Sequence, residues 1–264
     1  MRAVPDDLDP EVVREIDARL ASLDVAIPWA IESGSRAWGF PSPDSDYDCR
    51  FIFVRPVDSY LSPWHERDVI ETPLDETFDV NGWDLIKAVR LLLKGNAVVV
   101  EWLRSPIVYR GDPEFRDGLR ALAAEVSNRA QIGRHYLHVG TNQWFPDGAE
   151  MKIKKIFYSL RAAMVLRWMD VHPHDLVPPM NLQELLAEAD PPVDVVAETT
   201  ELLARKALTR ELGHGRVPVS LGRFISGQFE RAVDEYEHAD GTVSDESRAI
   251  ASRYFRGAVE RYGN

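Results

Sequence analysis

The sequence predicts an α+β protein in which a short mixed sheet precedes an all-helical half. Two observations carry that expectation. Before residue 110, apolar runs of strand length recur at Val25–Ile31, Tyr47–Val54 and Thr77–Val80, each bounded by turn-forming or polar residues. Beyond Gly111-Asp112-Pro113, every segment carries apolar residues at helical spacing. A chain of 264 residues is long enough for one large domain or two modest ones. The expected division is 1–110 and 111–264.

Asp9–Leu23 reads as an amphipathic helix, with Val12, Val13, Ile16 and Leu20 on one stripe and acids in its first turn. Val25–Ile31 is the first strand and feeds Gly34. The helix at Arg36–Gly39 is short, and Pro41 and Pro43 close it. Trp38 is placed to pack beneath this loop. Tyr47–Val54 alternates and then runs apolar, as a central strand does. Asp58–Leu61 is a helical turn, and Glu66–Thr77 is a polar, irregular connection. Thr77–Val80 is a further strand. Asp84–Lys94 is a helix with Leu85, Ile86, Val89, Leu92 and Leu93 buried, ended at Gly95-Asn96. Ala97–Leu103 and Ile107–Tyr109 complete the first half, separated by Ser105-Pro106. Helices are then expected at Pro113–Glu125, Arg129–Asn142, Gly148–Val171, Asn181–Ala189, Val193–Leu212, Leu221–Glu237 and Asp245–Tyr262.

Chemistry concentrates between Ile31 and Val54. Asp46 and Asp48 lie two apart at the start of a strand, so both point to one face, roughly 6.5–7 Å apart along the chain. Two carboxylates on one face are costly unless water, a cation or hydrogen bonds answer them. Mg²⁺ is a natural answer, because it takes a few carboxylates together with substrate phosphate oxygens. Upstream, Gly34 lets the backbone approach a ligand closely. Ser35 and the amides behind it open a helix, which suits an anion. A phosphate cradle beside a metal-binding edge is what phosphoryl transfer needs. Arg36 either reaches a phosphate or braces the loop, and Ser45 is placed to bond the loop or a carboxylate.

The joint pattern, Gly34-Ser35 followed by Asp46-Tyr47-Asp48, resembles the signature of the DNA polymerase β nucleotidyltransferase superfamily. Gly82–Asn96 and Glu101–Tyr109 are similar to the branch of predicted nucleotidyltransferases associated with RNA ligases. The resemblance covers most of the chain and is weakest after about Pro178. It implies a polymerase β-like nucleotidyltransferase domain followed by an all-α domain that closes over a nucleotide. It also implies a third metal-side carboxylate on a strand beside the Asp-x-Asp strand. Asp79 occupies such a place, and neighbouring strands lie only about 4.8 Å apart. Asp84 is the competing candidate, although it also suits the first turn of the following helix.

Met151–Met169 contains no acid, in a chain carrying a net charge of −12. Ile153, Ile156, Phe157, Leu160, Met164 and Trp168 are expected on its buried side. Lys154, Tyr158 and Arg161 fall at i, i+4 and i+7 and share another face, with Lys155 close by. That face reads either as a solvated polar surface or as a clamp for a triphosphate tail. A similar basic pattern marks the resembled branch.

Composition narrows the alternatives. No apolar run approaches the ~20 residues needed to cross a bilayer, and the acidic N-terminus is unlike a signal peptide. The single cysteine, Cys49, rules out an internal disulfide and is expected to point into the core. A cytoplasmic location is expected. The acidic balance argues against broad, non-specific binding of nucleic acid, while leaving room for an RNA end on a local basic patch. His172 and His174, beside prolines and without cysteine partners, are expected to be loop residues.

The resulting expectation is a nucleotidyltransferase that moves a nucleoside monophosphate from an NTP, ATP or CTP, to an acceptor hydroxyl and releases pyrophosphate. Asp46, Asp48 and Asp79 would hold two Mg²⁺ ions, with Mn²⁺ as a substitute. Gly34, Ser35, Arg36, Ser45, Lys154, Lys155, Tyr158 and Arg161 would bind the nucleotide. The resemblance favours an RNA 3′ end as acceptor. A protein or small-molecule hydroxyl is the alternative, and so is a non-catalytic nucleotide or RNA binder on the same fold.

Overall fold

The computed structural model describes residues 1–5, 8–73, 75–142, 144–145, 150–208 and 214–263. The protein is a mixed α+β structure, a five-stranded mixed sheet followed by helices, consistent with a polymerase β-like domain. Strands β1 (Ala26–Ser33), β2 (Tyr47–Val54), β3 (Val69–Glu71), β4 (Phe78–Asp84) and β5 (Val108–Gly111) stand in the order β3-β4-β2-β1-β5. The β2–β4 pair is parallel, and the other neighbours are antiparallel. β3 lies inside the stretch expected to be irregular, and its three residues are too few for a periodic signal.

β2 is buried on both faces only from Phe51 to Val54, which is why its sequence alternates at first and then runs apolar. Cys49, Phe51 and Phe53 pack with Val80 against Ile16 and Leu20 of helix α1 (Pro10–Ala21). Beyond β2 the chain makes the short helix α3 (Val57–Leu61). Ile52 and Val54 face the other way, into a core with Leu85, Ala88 and Leu92 of α4 (Leu85–Leu93) and Val99 and Val100 of α5 (Ala97–Trp102). That second core also takes Phe115, Leu119 and Leu122 from α6 (Pro113–Val126), and Ala251, Ala258 and Val259 from α12 (Asp245–Tyr262). Two helices beyond residue 110 therefore share a core with the sheet, across the expected boundary. Sequence periodicity shows that a helix has an apolar face but not which layer covers it.

A third core is built around α8 (Ile153–Val171) and draws on α7 (Arg129–Thr141), α9 (Leu182–Glu188), α10 (Val193–Leu208) and α11 (Val219–Tyr236). The helix expected from Gly148 begins only at Ile153, because Glu150–Lys152 forms a strand, β6. β6 pairs antiparallel with β7 (His214–Arg216). Within the expected Val193–Leu212 helix, residues 209–212 lie outside the described residues. No described helix is long and apolar enough to cross a membrane.

Candidate active site

The chain leaves β1 through Gly34, enters the short helix α2 (Gly34–Ala37), and returns along β2. Gly34 has φ of 67°, a conformation costly for other residues. A β-carbon there would also fall 2.1 Å from Asp48 Oδ2. Glycine is therefore required by conformation and by the carboxylate pressed against the turn.

The loop between α2 and β2 is tied by hydroxyls. Ser35 Oγ donates to Ser45 Oγ at 3.1 Å, which in turn accepts from Ser42 N at 2.9 Å. Arg36 donates from Nε to Asp46 O at 3.1 Å and from Nη2 to Ser45 O at 2.5 Å, and its guanidinium sits 3.8 Å from the centre of the Tyr47 ring. Of its two expected roles, Arg36 performs the bracing one in this structure.

Asp48 and Asp79 are direct partners in the parallel β2–β4 register. Arg50 joins them: Nη2 donates to Asp48 Oδ1 at 3.0 Å and to Asp79 Oδ2 at 2.6 Å, while Nη1 reaches Asp79 O at 2.7 Å. Asn81 Nδ2 donates to the other Asp79 oxygen. Burial pushes the Asp48 carboxyl up to about 6; Asp46 and Asp79 add to the rise, and Arg50 and Lys154 oppose it. Asp84 lies elsewhere. It caps α4 by accepting from Ile86 N at 2.9 Å, accepts from the Tyr60 hydroxyl at 2.9 Å, and is 3% exposed. It lies five positions along β4 from Asp79, roughly 16 Å away.

Among the described residues, no three His, Cys, Asp or Glu side chains converge closely enough to hold a metal. The expected carboxylate cluster is thus open here, because a guanidinium answers the charge of Asp48 and Asp79. The donor set nevertheless fits a hard divalent cation. It consists of carboxylate oxygens, with Asn81 Oδ1 buried alongside and bonded to nothing. An orphaned acceptor beside two carboxylates is costly unless a donor or cation reaches it.

Behind this edge stands Glu32, fully buried. Its Oε1 accepts from Asp48 N at 3.0 Å, and its other oxygen accepts from the Tyr109 hydroxyl. Burial pushes its carboxyl up to about 8, against those two hydrogen bonds. Glu32, Arg50 and Asn81 are absent from the expected site. Their signals were a carboxylate inside an apolar strand and polar residues two apart from Asp48 and Asp79.

The helical half contributes a second wall. A cavity of about 580 Å³ is lined by Trp38, Lys152, Lys154, Lys155, Tyr158 and Arg161, among others. The Lys154 ammonium stands 5.8 Å from the Tyr158 ring centre and lowers the Asp48 pKa. Burial raises the Tyr158 pKa, and Asp48 and Asp46 also contribute to the rise. Lys154 and Tyr158 therefore stand within electrostatic reach of the carboxylate edge. Tyr158 meets Trp38 edge-on, with ring centres 5.1 Å apart. The Lys155 ammonium stands 5.5 Å from the Phe145 ring.

Arg161 is placed differently from the expected phosphate clamp. It is 6% exposed, donates to Glu101 Oε1 at 2.9 Å and to Met180 O at 3.1 Å, and lies 4.9 Å from the Trp38 ring centre. The Tyr136 hydroxyl donates to the same Glu101 oxygen at 2.6 Å. α8 is buried around most of its circumference after the first turn, so the face that starts at Lys154 turns inward before Arg161. Lys206 on α10 is a further buried cation. Its ammonium lies 4.5 Å from the Phe40 ring centre, and burial lowers its pKa to about 8, with Lys154 adding to the effect.

The chain is 38% identical over 226 residues to the uncharacterized protein YcgL of Bacillus subtilis (strain 168), a match covering 84% of this chain and 86% of the relative. A family model described as the RNA repair pathway DNA polymerase beta family matches residues 8–256. A match of that extent, on a fold that sets Asp48 beside Asp79 behind a glycine turn, places the chain in the RNA repair pathway DNA polymerase beta family.

Proposed function

We propose that this protein transfers a nucleoside monophosphate from ATP or CTP to a hydroxyl at an RNA 3′ end, in the cytoplasm. The observation that carries the reading is the Asp48–Asp79 pairing behind Gly34. The acceptor oxygen bonds to the α-phosphorus, the bond to the bridging oxygen breaks, and pyrophosphate leaves. The acceptor's proton passes to Asp79.

Asp46, Asp48 and Asp79 are the residues that would hold two Mg²⁺ ions, or Mn²⁺ in their place. When bound, such ions neutralise phosphate charge and polarise the reacting oxygens. Gly34 keeps side-chain bulk away from the site, and Ser35 and Ser45 offer hydroxyls to the phosphates. Arg36 holds the loop that carries Ser45 and Asp46. Lys154 and Lys155 add positive charge from the opposite wall, where Tyr158 meets the nucleotide. Positioning and charge then supply most of the rate, as elsewhere in phosphoryl transfer.

The test is incubation with each α-labelled NTP and Mg²⁺, in the presence of total RNA and total protein. Label in RNA supports the reading. Label confined to protein or small molecules moves the acceptor, and absence of label with every NTP and both metals overturns catalysis.

A further inference from the structure

Away from the carboxylate edge, a groove of about 630 Å³ runs between α4 and α12. Four cations line it, Arg90, Lys94, Arg248 and Arg256, with no acidic side chain among the lining residues. All four are exposed, and among the described residues none takes part in an ion pair. The adjoining cleft, reached past Ile86 and Arg90, is the contrast. There Arg55 pairs with Glu66, and Arg67 with Glu71. Acids outnumber Lys and Arg by 43 to 31 in this chain. A cluster left unneutralised against that background repels itself until an anion arrives. The floor between the cations is apolar, formed by Val89, Leu93 and the half-buried Phe255.

We propose that this groove binds single-stranded RNA, with phosphates along the cationic rim and bases on the apolar floor. Alternating charge and apolar surface matches an unpaired strand, whose bases stack on side chains while basic residues follow its backbone. A duplex would hide those bases. The proposal rests on the RNA acceptor proposed above and makes the groove the track for the acceptor strand.

The experiment measures fluorescence anisotropy of a labelled single-stranded RNA of about a dozen nucleotides. It uses the full chain without NTP or divalent metal, at salt between about 50 and 200 mM. Arg248→Ala with Arg256→Ala is expected to weaken binding roughly tenfold at low salt. The double variant should also flatten the log–log salt slope by about 1.4, at about 0.7 per lost phosphate contact. Arg14→Ala with Arg223→Ala removes equal charge elsewhere and should leave binding unchanged. Unaltered RNA affinity in the groove variant, or tighter binding of a polyglutamate peptide than of RNA, overturns the proposal. If no NTP labels RNA while binding still depends on Arg248 and Arg256, the proposed reaction falls and the groove stands. If RNA is labelled with an unchanged KM in the groove variant, the groove falls and the reaction stands.

Discussion

Asp48 and Asp79 face one another across parallel strands and share one guanidinium, that of Arg50. The β2–β4 register brings them together, and Gly34 presses the turn against Asp48 from the other side. The pair is held by a cation the chain itself supplies. A divalent ion reaching these oxygens would take over part of the role of Arg50.

Asp48→Asn removes a carboxylate whose ionised form is disfavoured by burial and by Asp46 and Asp79. Without divalent metal at pH 8, the variant should melt at or above the wild-type temperature. Nucleotide transfer should fall by several kcal/mol of transition-state stabilisation, about a thousandfold or more. Wild-type turnover in this variant would exclude Asp48 from the chemistry.

Glu32 gives a pH dependence with a definite sign. Its folded pKa of about 8 lies above its ordinary value of 4.5, so between those limits the folded state holds a proton that the unfolded state has lost. Stability should therefore fall as pH rises through that window and level off above it. Glu32→Gln keeps an acceptor for Asp48 N and removes this component of the slope. Melting temperatures of both proteins from pH 5 to about 9 provide the measurement; parallel curves would contradict the buried, protonated carboxyl.

Arg161→Ala should act on stability more than on nucleotide binding. It leaves Glu101, 7% exposed, without its charge partner. Breaking one half of a buried pair costs about 3–5 kcal/mol. Glu101→Leu combined with Arg161→Met should recover much of that loss in urea unfolding. A large loss of NTP affinity in the stable double variant would instead return Arg161 to the ligand.

Lys154→Ala should lower NTP affinity by about one to two decades, the range for hydrogen bonds to charged groups. The nucleoside should be little affected, because the lysine addresses phosphate. Calorimetry with NTP and nucleoside separates the two cases, and equal weakening of both would show that Lys154 only supports the cavity wall.

The local chain determined much of this protein. The apolar run Phe51–Val54 sets a central strand, in which Asp48 lies near the start while Asp46 stands just before its first residue, Tyr47. Asp84 became a helix cap for the local reason that its side chain meets the free amide of Ile86. Tertiary structure decided what periodicity cannot carry. Parallel register set Asp79 beside Asp48 and let Arg50 bridge them. Burial of α8 on nearly every side turned Arg161 toward Glu101, and the return of α12 to the sheet created the cationic groove. Sequence spacing fixes which residues share a face of one element. Which element that face meets depends on packing, and packing assigned Arg161 to the interior and left Arg90 and Arg256 at the surface.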